Sequence, residues 1–526
     1  MYTYFSYFFR KFPFAHTFVE CVRARWGTAG HHLALFLAMV TNVIVSSMLI
    51  LGAATAFNTL TGMHIVACNF IIPVTVAIYV FFGGLRASLI CDYIHTAVLY
   101  CVVIAFCLYA YTTSSNIGSL STLYDLLVEK ANQNPVDGNA QGSYLTIRAT
   151  SGLIFLFINL CGNTATVLTD NAYYNRAFAS DIRVSGKAFL VGALCWFPIP
   201  FCFATVMGLS GAALKGTNIF PELSTYQIQR GIPAIISAQA IMGNSGSKLI
   251  LILLFLAVTS ATSAELNAVS SILTYDVYKK YRPNASERST MVVSHSTVAL
   301  FGLCQGALGC IFYSMGISMG YIYYLMGVII GCGVAPVVSC IIWKKANKLI
   351  CISGAVLSLC LGIVAWIVTA YKLYGKLDVD STGADLPMLA GNTVSFGLSS
   401  LITITGSLLF PDNYDFEATK FIGKKSADQA TTKYNAHEIQ IYQNTVESDD
   451  LKDEKLTPQE SIIVPEDGIM SKNDEVYIKK WQNIATGATI TWFILIIVIV
   501  TFSLFGTSYI YPLKGFMAWI IIGKFQ

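Results

Sequence analysis

Apolar residues fill this chain in blocks of about 20 or more, the length an α-helix needs to cross a hydrocarbon layer about 30 Å thick. Blocks bounded by charges or by proline and glycine lie near 30–57, 64–84, 92–112, 150–169, 187–213, 249–276, 293–313, 318–342, 349–371, 387–410 and 486–510, which predicts eleven transmembrane helices. A twelfth block begins near Phe516 and stops at Gln526, about half the length a bilayer requires. The chain opens on an aromatic run, Met1 to Phe9, too short to span and followed by Arg10 and Lys11. The expected fold class is an all-α polytopic membrane protein.

Composition agrees and narrows the function classes. Of the 526 residues 55% are hydrophobic and 12% charged, against about 25% charged in soluble proteins, so a soluble enzyme is excluded. A mean hydropathy of +0.61 is too high for a chain with one or two anchors. The net charge of +4 is spread over short loops with no continuous basic patch, so the lipid bilayer is the expected partner and nucleic acid is not. The fourteen cysteines form no CxxC pair and most lie inside apolar runs, where they read as packing groups.

Orientation follows from the excess of Lys and Arg in cytoplasmic loops. Counted on alternate sides, the side holding residues 1–29 has fifteen against seven, which places that flank in the cytoplasm. The sequon Asn284-Ala285-Ser286 then faces the cytoplasm and is expected to stay unmodified. Four regions result: a cytoplasmic flank and helix stub at 1–29, a transporter-like core of ten spans at 30–410, an insertion at 411–484, and a span with a partial helix at 485–526. The insertion holds fifteen of the 29 acidic residues, and its polar composition predicts a largely disordered cytoplasmic segment.

An ionisable group inside a span costs about 2.5–3.5 kcal/mol on insertion scales, so each one needs a reason. Asp92, Asp170 and Asp276 fall at expected cytoplasmic helix ends, where capping or loop pairing accounts for them. Glu265 lies well inside the span 249–276, as a functional or gating group or as the buried partner of an unidentified donor. That span also carries small residues at 257, 260, 261, 264, 268 and 271, one stripe at helical spacing, together with a run of hydroxyls. Such a stripe packs against another helix, and its oxygens are also the kind that hold a desolvated monovalent cation in transporters. Trp196-Phe197-Pro198-Ile199-Pro200 interrupts the span 187–213. His95 and His295 are relay or packing groups, and the pairs Gly302/Gly306 and Gly327/Gly331 read as helix contacts. No P-loop, HExxH or GxSxG motif occurs, so no enzyme site is expected.

Several blocks together resemble the urea/polyamine branch of the sodium:solute symporter family, the urea active transporters of fungi and plants. They are Ala15-His16-Thr17-Phe18 with Val22-Arg23-Ala24-Arg25-Trp26-Gly27, Phe82-Gly83-Gly84-Leu85-Arg86-Ala87 with Asp92-Tyr93-Ile94-His95-Thr96, Asp170-Asn171-Ala172-Tyr173-Tyr174-Asn175-Arg176-Ala177, Ala257-Val258-Thr259-Ser260 through Glu265, and Phe410 to Phe416. The resemblance covers most of the chain and implies an inverted-repeat fold of five plus five core helices, alternating access around a midplane site, and no enzymatic activity. It implies a carrier that imports urea, and in some members polyamines, across the plasma membrane with protons or sodium and no other cofactor.

In this family the coupling ion sits between the first and eighth core helices, and 249–276 resembles the eighth. By that resemblance Ala257 offers a carbonyl and Ser260 an oxygen, while Ala261 stands where a hydroxyl residue is usual, a departure that weakens a sodium site and fits proton coupling or a damaged site. Asp170, Asn171, Tyr173, Trp196 and Glu265 are the expected residues lining or gating the substrate site. Residues 1–9 resemble the end of the second core helix, so the preceding helices of the family are expected to be missing, and the last helix cut short. The readings left open are a carrier of another small solute and a transport-dead truncated paralogue or sensor.

Overall fold

The computed structural model describes residues 2–12, 15–180, 182–416 and 472–525. The chain begins with α1 (Tyr2–Lys11), α2 (Phe18–Thr61), α3 (Ile65–Thr112), α4 (Leu120–Gln133), α5 (Thr150–Thr169) and α6 (Asn171–Phe178). One continuous span follows in the segments α7 (Ile182–Trp196), α8 (Pro198–Phe203) and α9 (Ser210–Leu214), then α10 (Thr225–Gln229), α11 (Ile232–Ser271) and α12 (Lys279–Tyr281). The bundle continues with α13 (Glu287–Ser314), α14 (Met319–Ile330), α15 (Val334–Ile342), α16 (Lys348–Tyr374), α17 (Val379–Thr382) and α18 (Asp385–Leu409). The last described elements are α19 (Lys472–Trp492), α20 (Phe502–Gly506) and α21 (Leu513–Phe525).

Ten helices among the described residues are long and apolar enough to cross a membrane. One of them, α3, has 48 residues and would extend about 72 Å if straight, more than twice the hydrocarbon thickness. Gly84 divides it: with φ 52° and ψ −147° it turns the chain between 65–84 and 85–112. Each of the eleven expected spans therefore lies on one of these helices, two of them on α3. Gly27 in α2 (φ 68°, ψ −154°) and Gly243 in α11 (φ 60°, ψ −141°) repeat the same backbone conformation, open to glycine because it has no Cβ. In the proline-rich span, α7 ends at Trp196, α8 starts at Pro198, and a π-helical stretch covers Ala204–Leu209.

Small residues set the closest helix approaches. Gly302, Gly306 and Gly309 of α13 lie against Ala77, Phe70 and Asn69 of α3, and a Cβ at Gly309 would come within 2.6 Å of Asn69 Oδ1. Gly327 and Gly331 of α14–α15 lie likewise against Asn392 and Phe396 of α18. The largest apolar cluster joins α1, the first turns of α2, α6 and α15, with Phe5, Phe8, Phe18, Trp26 and Tyr174 at its centre. Tyr4 and Tyr174 hydroxyls meet there at 2.7 Å. All fourteen cysteines are free thiols.

Two stretches expected inside the disordered insertion are ordered. Residues 411–416 lie across the end of α15, Asp412 and Tyr414 donating their amides to the Lys345 and Lys344 carbonyls. Helix α19 already runs from Lys472, and the membrane-length stretch it opens is Glu475–Gly506. The rest of the expected insertion, 417–471, lies outside the described residues.

Candidate functional site

Asp170 ends α5 in an extended conformation (φ −91°, ψ 118°) and starts α6, its carboxylate accepting the Ala172 amide at 2.8 Å. This is an N-cap, the ordinary role expected for it. A second contact goes beyond that role. Asn42, fully buried on α2, donates its Nδ2 both to Asp170 Oδ1 at 2.9 Å and to Glu265 Oε2 at 2.6 Å. Glu265 is 3% exposed and Asp170 2%, so two carboxyl groups from different helices meet on one amide in the interior. Among the described residues no Lys, Arg or His nitrogen pairs with either carboxyl. One layer on, the Thr41 and Thr169 hydroxyls meet at 2.8 Å, fixing α2 against α5 beside the pair.

A second polar layer joins α3, α6 and α11. Arg176, on α6 and six residues after Asp170, pairs with Asp92 Oδ2 at 2.6 Å. Ser260 donates its hydroxyl to the other Asp92 oxygen. Asn267 reaches Ser88 at 2.9 Å, and Asn175 donates to the Asn267 carbonyl at 3.3 Å and to the Ser271 hydroxyl at 3.1 Å. Of the two roles expected for Asp92, capping and loop pairing, it takes the second, with Arg176 of the connection 170–187, and the turn at Gly84, which sets 85–112 antiparallel to α11, adds the contact with Ser260. Asp276, the other acid expected at a helix end, accepts the hydroxyl of Thr17, the N-cap of α2, at 2.7 Å.

The expected site residues divide accordingly. Asp170 and Glu265 come together. Asn171 is buried beside them, donating to Asn175 at 3.1 Å and leaving its own oxygen unpartnered, and Tyr173 follows half-buried on the same helix. Ala257 and Ala261 are half-buried on α11, flanking a Ser260 hydroxyl that is donated to Asp92. Trp196 stands apart, 62% exposed on the outer surface at the proline break. The His295 ring packs at a tilt against Phe81, centroids 4.7 Å apart, while the Nδ1 of His95 is buried without a partner.

Asn42, Asp92 and Arg176 are the residues that sequence reasoning missed in this role. Asn42 offered one faint signal, as an amide in the apolar run 30–57. Its own Oδ1, like that of Asn171 and the Thr262 hydroxyl, is buried with no hydrogen-bond partner. A cavity of about 610 Å³ lies between α2, α11 and α14, lined among others by Met48, Gly52, Arg230, Tyr323 and Asp385. It reaches Val258, two turns before Glu265 on α11. Arg230 is held at its wall by Thr55 and by the rings of Tyr226 and Tyr313.

Comparison with known proteins gives concordant matches. The family model described as sodium:solute symporter family matches residues 8–362. The urea active transporter of Saccharomyces cerevisiae is 36% identical, the alignment covering 97% of this chain and 74% of that protein. The urea-proton symporter DUR3 of Oryza sativa subsp. japonica is 39% identical over 86% of this chain and 63% of its own length. The probable urea active transporter 1 of Schizosaccharomyces pombe is 40% identical over 81% of this chain and 66% of its own. The chain thus spans about three quarters of the first relative and just under two thirds of the other two. A solved Na+-coupled sialic acid symporter in a substrate-bound outward-open state superposes with a TM-score of 0.59 at 15% identity, covering 79% of this chain and 85% of that one, a likeness of fold alone. With relatives 36–40% identical along most of its length and a family match over residues 8–362, this multi-pass membrane protein belongs to the sodium:solute symporter family.

Proposed function

We propose that the chain is a secondary active transporter that imports urea across the plasma membrane, driven by protons. The observation that carries this reading is the Asn42-bridged pair of Asp170 and Glu265. Two carboxyl groups on one buried amide repel each other when both are ionised, and binding a single proton relieves that contact. A pair of this kind, on helices that move relative to each other during alternating access, takes up a proton on one side of the membrane and releases it on the other. The relatives named as urea transporters, one of them a urea-proton symporter, supply the substrate and the ion. Urea has four N–H donors and one acceptor oxygen, so its site needs acceptors in excess. The unpartnered oxygens of Asn42 and Asn171 and the hydroxyl of Thr262 are acceptors of that kind, and the cavity by Arg230 ends at Val258, one turn before Thr262 on α11.

Proton rather than sodium coupling is favoured because Ala261 adds no second hydroxyl beside Ser260 at the position matched to the cation. A cationic polyamine is a second substrate class, favoured by two interior carboxyls without a basic partner. The test is uptake of radiolabelled urea at micromolar concentration in cells lacking their own urea permeases, at acid and neutral pH, with and without sodium. Saturable uptake that rises at acid pH without sodium is expected. Sodium-dependent uptake with no response to pH would overturn the proton reading, and no urea uptake by chain at the cell surface would overturn the substrate.

A further inference from the structure

Helix α6 is a short, separately jointed rod. It has eight residues, is set off from α5 by the extended Asp170, and ends in a turn at Ala179 and Ser180. At its first turn it carries one member of the interior acid pair, and six residues later, about 9 Å along the axis, it carries Arg176. No cation touches the pair, while Arg176 is spent on Asp92. Asp92 has a second anchor, because Ser260 holds its other oxygen from α11, five residues before Glu265. The Arg176 side chain is 36% exposed against 18% for Asp92, so the guanidinium has space around it that the carboxylate lacks.

We propose that Arg176 is the movable counter-charge of the transport cycle: it ties α6 to Asp92 while the Asp170–Glu265 pair holds a proton, and it turns to that pair when the proton leaves. This rests on the proton-coupled reading above. The protonated pair carries one negative charge and is served by the Asn42 amide and the Ala172 N–H. Once ionised it carries two, against one at Asp92, and in the low-dielectric interior the nearest cation is drawn to the larger charge. The other titratable groups facing this region are Tyr173 and Tyr174 on α6 and Tyr79, Cys91 and His95 on α3, and none of them is a permanent cation. Release of Asp92 parts α6 from α3, while Asn175 still holds α6 to α11 through the Asn267 carbonyl and the Ser271 hydroxyl. Proton loss is thereby coupled to opening of the layer beneath the pair.

The experiment compares concentrative uptake, driven by an inward proton gradient, with urea exchange at equal urea and equal pH on both sides. Exchange needs no return of the empty carrier. With Arg176→Gln, concentrative uptake is expected to fall about tenfold or more while exchange stays within about threefold, because only the deprotonated, empty carrier needs the moved charge. Arg176→Lys, which keeps the charge but not the fork, recovers part of the concentrative uptake. Asp92→Asn frees Arg176 to stand by the pair at all times, favours the ionised pair, and moves half-maximal uptake about one unit toward acid. Arg176→Gln with the uptake and pH profile of the unsubstituted chain overturns the proposal, as does loss of exchange in step with uptake. If Arg176→Gln fails to reach the membrane, the Asp92→Asn profile decides, and an unmoved profile overturns the proposal. If the unsubstituted chain takes up urea without any response to protons, the underlying reading falls and this one with it; if it responds and Arg176→Gln matches it, only the role of Arg176 falls.

Discussion

The Arg25 guanidinium donates to the Cys340 carbonyl at 2.6 Å across 315 positions of sequence, tying the start of α2 to the end of α15. The same group reaches the carbonyls of Ser339, Trp343, Lys344 and Ala346, and the rings of Tyr414 and Phe416 lie over it at 4.9 and 5.2 Å. The last carbonyls of a helix have no partner within it, so one buried arginine caps α15 and seats the chain that follows α18. Hydrogen bonds to a charged group are worth about 1.5–3 kcal/mol each and do not add in full, so Arg25→Ala is expected to cost about 3 kcal/mol or more. Arg25→Lys should recover less than half, because an ammonium cannot fan across five carbonyls. Thermal unfolding of the detergent-solubilised protein, followed by size-exclusion chromatography, reads the difference, and equal midpoints for the alanine variant and the parent would sink this account.

Glu265→Gln removes one ionisation from the interior pair and leaves its shape. If the pair carries the coupling proton, the variant can no longer exchange it, and uptake should lose its rise at acid pH and its ability to concentrate urea. On the same reading the unsubstituted chain responds to pH: with the protonated pair as the loaded form, uptake is expected to rise as pH falls. Initial rates at several pH values check this, and an acid-stimulated Glu265→Gln carrier would remove Glu265 from the proton path.

Asn42→Ala deletes the donor shared by both carboxyls and leaves the pair without a side-chain partner. Leaving a buried charged group unsatisfied costs about 1–3 kcal/mol or more, which corresponds to roughly tenfold or more in the transport-competent population. Uptake corrected for surface expression measures it. A fall confined to expression, with normal transport per molecule, would show that Asn42 only supports the fold.

Asp378 provides a control outside the membrane. The Lys376 ammonium beside it, with the Ser381 amide and hydroxyl, holds its carboxyl down at about 2. A depressed value means that its cap on α17 is fully present above the ordinary aspartate range and is lost only as pH falls through about 2. Over the pH range of an uptake assay its charge does not change. Asp378→Asn should leave the shape of the uptake profile unaltered, and a displaced profile would mean that the loop between α16 and α18 contributes to pH sensing.

Two glycines separate close approach from helix propensity. A Cβ at Gly327 would lie 1.9 Å from Asn392 Oδ1, while one at Gly397 of α18 meets nothing within 4 Å. Gly397→Ala should be neutral or stabilise by up to about 1 kcal/mol, and Gly327→Ala should force α14 from α18 and cost about 1–3 kcal/mol. Thermal midpoints of the two variants, moving in opposite directions, check the pairing.

Sequence alone determined the membrane class, the placement of the spans and the exceptional standing of Glu265, because crossing a bilayer demands long apolar runs and penalises any acid inside one. It also marked Gly306 and Gly327 as helix contacts, since a missing side chain at helical spacing has few other uses. Tertiary structure alone decided what Glu265 meets. Asn42 is 223 positions away and, as a neutral amide, costs too little in an apolar run to stand out. Asp92 lay near a helix end by position, and only the turn at Gly84 and the antiparallel packing of 85–112 on α11 bring it to Ser260 and Arg176. Trp196 drew attention by its prolines, yet a break in a helix does not say which way the side chain beside it points, and this one points outward. Apolar spans are specified by local composition, whereas a polar pair inside a membrane is specified by which helices touch and at what height, and no stretch of sequence contains that information by itself.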